Sequence, residues 1–487
     1  MTLERIRNSR LGRRYIGDRA FYALVLGLLV PIVIQNIISN FVSLLDNIMV
    51  GAVSTEEMNG VSISNQLIFV FNLCVFGGMS GATIFAAQFY GAKNEDGVRD
   101  SFRYTILLAV GLSAIAIAVL AGFSRPLIGY YINDVEAVGG AEDTLKAGMG
   151  YVRIMLFGLF PFAMSQAYAG TLRVTGETKL PMAASVTSVL VNLVGNYILI
   201  FGHLGAPALG ARGAAVATVI SRYVEMLIIV VVAHRRNRRD GTYGFLSHAY
   251  SHFHIPGWLA KRITVKGMPL LVNELLWSVA VALLAQLYSL RGLNVVAANT
   301  ITSTITNLFN VFFLSMGTAA SVLVGRKLGE RNDESSRACA RQIIAFDIVI
   351  CVVVAAVMFA VAPLLPQIYR KATVDARRLA VAMIRICACS APLSAFANCS
   401  YFILRSGGRT GITFLFDSGY SWIIQIPLVY SLVHFTDLGI LYVFGACHAA
   451  ELIKDIFGYI LMKKGVWIRN IVSEPEPEVA YEKAEAE

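Results

Sequence analysis

Stretches of about twenty apolar residues recur along the whole chain, and nothing else in the sequence narrows its fold so far. YTILLAVGLSAIAIAVLAGF (104–123) and FDIVICVVVAAVMFAVAPLL (346–365) are two of them. A hydrocarbon layer ~30 Å thick is crossed by roughly 20 residues of helix. Inside it each backbone N–H and C=O must be paired within its own segment, so such runs fold as helices. Twelve spans are expected, at 21–45, 59–82, 102–124, 148–171, 182–202, 213–233, 264–290, 295–325, 343–365, 380–404, 412–433 and 438–461. Charged residues make up 15% of the chain, against ~25% in soluble domains. The sequence therefore predicts an all-α polytopic membrane protein and excludes a soluble enzyme with one anchor.

The net charge of +10 does not point to nucleic acid, because its distribution follows the loops. Arg5, Arg7, Arg10, Arg13, Arg14 and Arg19 precede the first span. Arg235, Arg236, Arg238, Arg239, Lys261, Arg262 and Lys266 flank the central loop, and Arg326, Lys327, Arg331, Arg337 and Arg341 follow the eighth span. The other loops are sparse in basic residues, apart from Arg370, Lys371, Arg377 and Arg378. Basic loops stay cytoplasmic, so both termini and the central loop are expected on the cytoplasmic side of a plasma (inner) membrane. The expected organisation is a basic N-terminus (1–20), an N-lobe (21–233), a linker (234–263), a C-lobe (264–461) and a disordered acidic tail (462–487). No cleavage site follows the first span, so no removed signal peptide is expected.

The two lobes repeat one another. Residues 31–106 align with 269–344 at a constant offset of 238, placing Pro31 on Pro269, Phe71 on Phe309, Asn72 on Asn310, Gly91 on Gly329, Asn94 on Asn332 and Arg103 on Arg341. LRVTGET from Leu172 then aligns with LRSGGRT from Leu404, and Gly213 and Glu225 align with Gly439 and Glu451. Each half holds six spans and enters and leaves on one side. Two parallel six-helix bundles related by a pseudo-two-fold axis along the membrane normal are the expected architecture, as in secondary transporters.

Polar residues within the spans fall into stripes. Gln35, Ser39, Ser43 and Asp46 share one face of the first span. Ser185, Ser188, Asn192 and Asn196 do so in the fifth, Asn299, Ser303, Thr306 and Asn310 in the eighth, and Asp417, Ser421 and Gln425 in the eleventh. A single Ser or Asn in a span more often joins two helices by a hydrogen bond worth about 0.6 kcal/mol. Several stripes together with acids indicate a hydrated cavity. An ionised carboxylate within a span costs about 3 kcal/mol, so it binds a cation or takes up a proton. Asp46, Glu274 and Asp417 are the candidates. None is duplicated, since Leu284, Asn36 and Ser185 occupy the matching positions. Glu225 and Glu451 are duplicated, which suits structural ion pairing.

Other motifs read as structure. The twin segments QFYGAKNEDGVRDSFR and RKLGERNDESSRACAR each end a helix at a glycine. His248, His252 and His254 have a spacing a metal could use, but a solvated amphipathic loop accounts for them, and the seven cysteines fill helices. No structural metal and no cofactor are expected. There is no GxxxxGK[ST], HExxH or GxSxG, so transport must draw on an ion gradient or on the substrate's own.

Pro31-x14-Asp46-x3-Val50-Gly51, the paired G-x2-N-[ED] loops, LR-x2-G-x-T after the fourth and tenth spans and GAAVATVISR from Gly213 together resemble the multidrug and toxin extrusion (MATE) family, of the prokaryotic type. The resemblance implies a cation-coupled antiporter, not an enzyme, that expels organic and often cationic drugs in exchange for H⁺ or Na⁺. It implies a coupling site in the N-lobe formed by Asp46, Asn192, Asn196, Thr218 and Gln166, where Na⁺ could bind at Asp46. Asn196 stands where some members have aspartate, which leaves Asp46 as the sole carboxylate of that cluster. The substrate cavity is expected to include Gln35, Ser43, Glu274, Asn299, Ser303 and Asp417, with Pro31 and Pro269 as hinges. The expected partners are a small organic molecule and the lipid bilayer, with the chain acting as a monomer and no nucleic acid involved. A lipid-linked oligosaccharide flippase of related two-lobed design, or a passive channel, are the other readings. A flippase cavity for a pyrophosphate should be rich in Arg and Lys, whereas here Arg153, Arg222 and Arg385 are the basic residues noted within spans.

Overall fold

The structure, a computed structural model, describes residues 15–133, 140–251, 253–369 and 372–472, and leaves aside the side chains of residues 42–44, 47, 48, 132 and 133. The arginines before residue 15, the side chain of Ser43, His252, Arg370, Lys371 and the acidic tail after residue 472 therefore lie outside the described residues.

A helix forms over each apolar run. They are α1 (Arg19–Gly51), α2 (Thr55–Gly91), α3 (Glu95–Asn133), α4 (Ala141–Thr175), α5 (Lys179–Phe201) and α6 (Ala211–Asp240) in the first half. The second half holds α7 (Gly257–Ser289), α8 (Leu293–Gly329), α9 (Asp333–Val361), α10 (Val374–Ser406) and α11 (Thr410–Phe435). Among the described residues, eleven helices are long and apolar enough to cross a membrane. The twelfth expected span, 438–461, divides into α12 (Ile440–Ala449) and α13 (Glu451–Lys464). They meet at Ala450, where Ile453 N reaches back only three residues to Ala450 O and tightens the turn. Most helices overrun their apolar runs into polar ends. Asn332 caps α9 by accepting from Ser335 N at 2.9 Å, and Thr373 caps α10 by accepting from Ala376 N at 3.1 Å.

The chain forms two compact units. An N-terminal unit holds Val30–Ala86 and Glu95–Lys261, and a C-terminal unit holds Met1–Leu29, Ala87–Asn94 and Arg262–Glu487. The division of α1 falls between Leu29 and Val30, one residue before Pro31, which has no N–H for the helical ladder. Ile68, Val75, Met155, Leu159 and Ile200 lie in the core of the N-terminal unit. There α5 and α6 pack backbone to backbone: a Cβ on Gly213 would lie 2.4 Å from Leu199 O, and one on Gly195 2.9 Å from Ala217 Cβ. The C-terminal unit is built around Ile301, Met383, Ile384, Val429 and Val443.

The twin loops end their helices at Gly91 and Gly329, but not for the reason the sequence suggests. Neither glycine takes a left-handed turn; Lys93 and Arg331 do, both at φ 58°. The glycines serve a crossing inside the C-terminal unit. A Cβ on Gly91 would stand 1.9 Å from Arg326 O, and one on Gly329 2.0 Å from Gln88 O. Gln88 and Arg326 are themselves repeat equivalents, so the contact is reciprocal.

Candidate functional site

Within the N-terminal unit α5 brings Asn192 and Asn196, four residues apart, onto one buried face, opposite Asp46 of α1 and Thr218 of α6. Asn196 Nδ2 donates to Asp46 Oδ1 and, at 3.2 Å, to Asn192 Oδ1. Asn192 Nδ2 donates to Thr218 Oγ1 at 3.1 Å, and Thr218 donates onward to Ala214 O at 2.9 Å. Asn196 is fully buried, yet its Oδ1 has no hydrogen-bond partner among the described residues. An ionised carboxylate and an unused amide oxygen are both acceptors, open to a proton donor or a cation. The structure thus brings together Asp46, Asn192, Asn196 and Thr218. Gln166, half-buried on α4, takes no part in this chain of bonds among the described residues.

Gln35, the first position of the stripe that carries Asp46, is buried and accepts from Arg173 Nη2 at 3.0 Å. Arg173 and Arg222 both lie within electrostatic reach of Glu225, which hydrogen bonds with Ser185. The duplicated Glu225 is accordingly part of an ion cluster, as its partner Glu451 is through His448, 3.3 Å away. Arg222 also donates to Gly158 O at 3.2 Å and lies 4.9 Å from the centre of the Phe162 ring.

In the C-terminal unit Glu274 and Asp417 belong to one network. Tyr401 Oη donates to Glu274 Oε1 at 3.0 Å. Asn273 Nδ2 lies 3.2 Å from Tyr401 Oη and donates to Asp417 Oδ2 at 2.9 Å. Ser418 Oγ donates to Asn273 Oδ1 at 2.7 Å, fixing the amide. Asp417 is also ion-paired with Lys454 at 2.6 Å, whose ammonium lies 5.3 Å and 5.6 Å from the Phe416 and Tyr420 ring centres. Asp417 lies where α11 winds through two π-helical stretches, Leu415–Gly419 and Ser421–Gln425, a local loosening that often accompanies functional sites. Asn299 is half-buried on α8, and the exposed Ser303 bonds back to Asn299 O at 2.7 Å. Pro31 and Pro269 stand inside α1 and α7.

The histidine loop is used otherwise. Arg103 donates to the carbonyls of His248, Ala249 and His254 at 2.8, 2.9 and 3.1 Å, pinning the linker to α3. The cysteines are free.

The sequence reading passed over Tyr401, Asn273 and Lys454, and over two further buried acids, Asp347 on α9 and Asp455 on α13. Each stands inside an expected span, so the signal was available: a polar or ionisable residue in an apolar run. Lys454 also adds to the basic residues noted within spans.

The MatE family model matches the chain twice, over residues 31–198 and 269–431, so both matches begin on the repeated prolines. A probable multidrug resistance protein NorM of Thermotoga maritima is 25% identical over 448 residues, covering 91% of this chain and 93% of that one. The multidrug resistance protein MdtK of Edwardsiella ictaluri is 28% identical over 325 residues, covering 66% of this chain and 68% of that protein. Among solved structures, a MATE transporter in a bent conformation superposes with a TM-score of 0.80 at 21% identity, covering 92% of this chain and 96% of the other. A transporter of the MOP superfamily from Pyrococcus furiosus gives 0.80 at 22% identity, with the same 92% and 96% coverage.

Proposed function

The chain belongs to the MatE family, and on that premise we propose that it is a multidrug efflux transporter working as a secondary antiporter. It exchanges an organic, often cationic, molecule for H⁺ or Na⁺, in a plasma membrane with both termini cytoplasmic, as a monomer and without a cofactor. The relatives named multidrug resistance proteins support the substrate class. The coupling rests on one observation: Asp46 is met by a buried amide whose own carbonyl oxygen is unpartnered among the described residues.

The chemistry follows from that pair. When Asp46 is ionised, the Asn196 N–H group stabilises it and the Asn192–Thr218 bond holds the amides in line. When a proton or Na⁺ arrives, it neutralises the carboxylate and engages Asn196 Oδ1. The demand for N–H donors falls, and α1 is released from α5. Pro31 marks where α1 bends, because the backbone ladder already lacks a donor there. That bend changes the cavity and releases substrate outward. Glu274, buried beside Tyr401, supplies negative charge for a cationic drug in the C-terminal unit, while the charge of Asp417 is already met by Lys454.

The test is efflux from proteoliposomes with Na⁺ and pH gradients imposed separately. One gradient should drive efflux in the parent protein and neither in Asp46→Asn, with folding unchanged by size-exclusion chromatography. Intact ion-driven efflux in the variant would remove Asp46 from the coupling role.

A further inference from the structure

The C-terminal unit holds a second group of ionisable side chains that the Asp46 site leaves unused. His448 at the end of α12, with Glu451 and Asp455 of α13, follow at i, i+3 and i+7 and share one face. The opposite face of α13 is exposed and apolar, with Leu452, Ile453, Ile456, Phe457 and Ile460. The cluster therefore lies at a level where the outer surface suits hydrocarbon.

Two acids in and beside the cluster have partners. Asp417 of α11 is paired with Lys454 at 2.6 Å. Glu451 faces His448 Nδ1 at 3.3 Å and accepts from Ser394 Oγ at 2.6 Å. Asp455 has none of its own. It is 9% exposed, and neither carboxylate oxygen has a hydrogen-bond partner among the described residues. Tyr420 of α11, 7% exposed, lies within electrostatic reach of both Asp455 and Glu451, and its hydroxyl is likewise unpartnered. The other titratable groups facing the cluster are Cys387 of α10, 3.6 Å from His448 Nε2, Cys447 of α12, Tyr288 of α7, which hydrogen bonds with Cys447, and Lys454, which lies within electrostatic reach of Asp455 and Glu451 while paired with Asp417. No group of three His, Cys, Asp or Glu among the described residues is arranged to hold a metal ion. The matching position in the other half, 226 residues earlier, is Ile229, fully buried. This site in the helix fold is thus filled by a hydrocarbon side chain in one half and by a carboxyl group in the other.

We infer that Asp455 is a second transported-proton site, loaded and unloaded in each cycle through the His448–Glu451 pair. An isolated carboxylate at that depth must be neutralised. The nearest lysine is committed to Asp417, which leaves a proton. The inference rests on the antiport reading above for its transport consequence: one more positive charge enters per substrate expelled than Asp46 alone carries.

Two measurements on the full-length protein test it. In infrared difference spectra across a pH titration, the parent protein should show the C=O stretch of a protonated carboxyl that is missing in Asp455→Asn. In proteoliposomes, Asp455→Asn should keep efflux driven by the gradient of the ion that Asp46 carries but lose one charge per cycle. At 100 mV its accumulation ratio should fall about 50-fold, the equivalent of the ~2.3 kcal/mol that one charge gains over that potential. Asp455→Ser serves if the asparagine variant does not fold. A protonated-carboxyl band unchanged in the variant, or an unchanged voltage dependence, overturns the inference. If the parent protein shows no ion-driven efflux at all, the antiport reading fails, and the infrared band alone decides whether Asp455 holds a proton.

Discussion

Replacing Gly213 with alanine probes whether the spacing of α5 and α6 sets the proposed coupling site. The new Cβ would sit 2.4 Å from Leu199 O and 2.6 Å from Leu199 C. These are backbone atoms, so no rotamer change relieves the clash. Cβ contacts below 3.0 Å essentially never occur, so α6 must move from α5 by about 0.6 Å or more. Carried along a rigid helix, that displacement takes the 3.1 Å bond from Asn192 to Thr218 to about 3.7 Å, past hydrogen-bond length. Bonds of this kind between membrane helices contribute about 0.6 kcal/mol and up to about 1.7 kcal/mol. At 1.36 kcal/mol per tenfold, affinity for the coupling ion should weaken by about 3-fold to 20-fold. The assay is the ion concentration giving half-maximal efflux from proteoliposomes. Thr218→Val removes the same bond without the clash, so the double variant should couple no worse than Thr218→Val alone. An unchanged half-saturation in Gly213→Ala, or effects that multiply in the double variant, would refute the reasoning.

Other substitutions address the remaining parts. Lys454→Met leaves Asp417 uncompensated and should lower stability by about 3 kcal/mol, the scale for breaking one partner of a buried pair; adding Asp417→Asn should restore most of it in detergent melting curves. Gly91→Ala and Gly329→Ala each push a methyl onto a carbonyl of the other helix end and should destabilise by similar amounts, about 2 kcal/mol for overpacking. Free tolerance of either one would show that the crossing is not reciprocal. Pro31→Ala supplies the missing N–H and should slow transport more than it weakens drug binding, with equal effects on rate and affinity pointing to the site instead of the hinge.

Legibility in the sequence tracks the kind of force involved. Helix positions followed from apolar runs, because hydrocarbon burial and backbone pairing act on one segment at a time. Periodicity placed Asn192 and Asn196 on one face of α5, since they repeat at one helical turn and sharing a face is a property of that helix alone; that this face meets Asp46 and Thr218 was implied only by the family resemblance. What the sequence hid are choices between segments. Asp417 and Lys454 are 37 residues apart, and Glu274 and Tyr401 are 127 apart; which acid meets which donor is set by how α7, α10, α11 and α13 pack. Gly91 and Gly329 make the same point. Their place at a helix end suggested a left-handed turn, but the turn belongs to Lys93 and Arg331, and the glycines answer to a contact with a helix end over 200 residues away.

The internal repeat separates scaffold from chemistry within this one chain. Positions filled alike in both halves do structural work: Gly91 and Gly329 each admit the other's helix end, Lys93 and Arg331 turn the chain at the same φ, and Glu225 and Glu451 each lie beside a basic side chain. Positions filled differently carry the ionisable groups that need not be there for folding. Leu284 stands opposite Asp46, Asn36 opposite Glu274, Ser185 opposite Asp417 and Ile229 opposite Asp455. In each case one half shows that the helix forms and packs without the acid. A carboxyl group in the membrane is costly, and the equivalent place in the other half shows that the fold does not require it, although Asp417 has since gained a structural pairing with Lys454. The acids unique to one half are therefore the groups to which we assign, as a proposal, the handling of a coupling ion or a cationic substrate. Because Asp46 lies in one unit while Glu274, Asp417 and Asp455 lie in the other, the two halves share a scaffold but not a task.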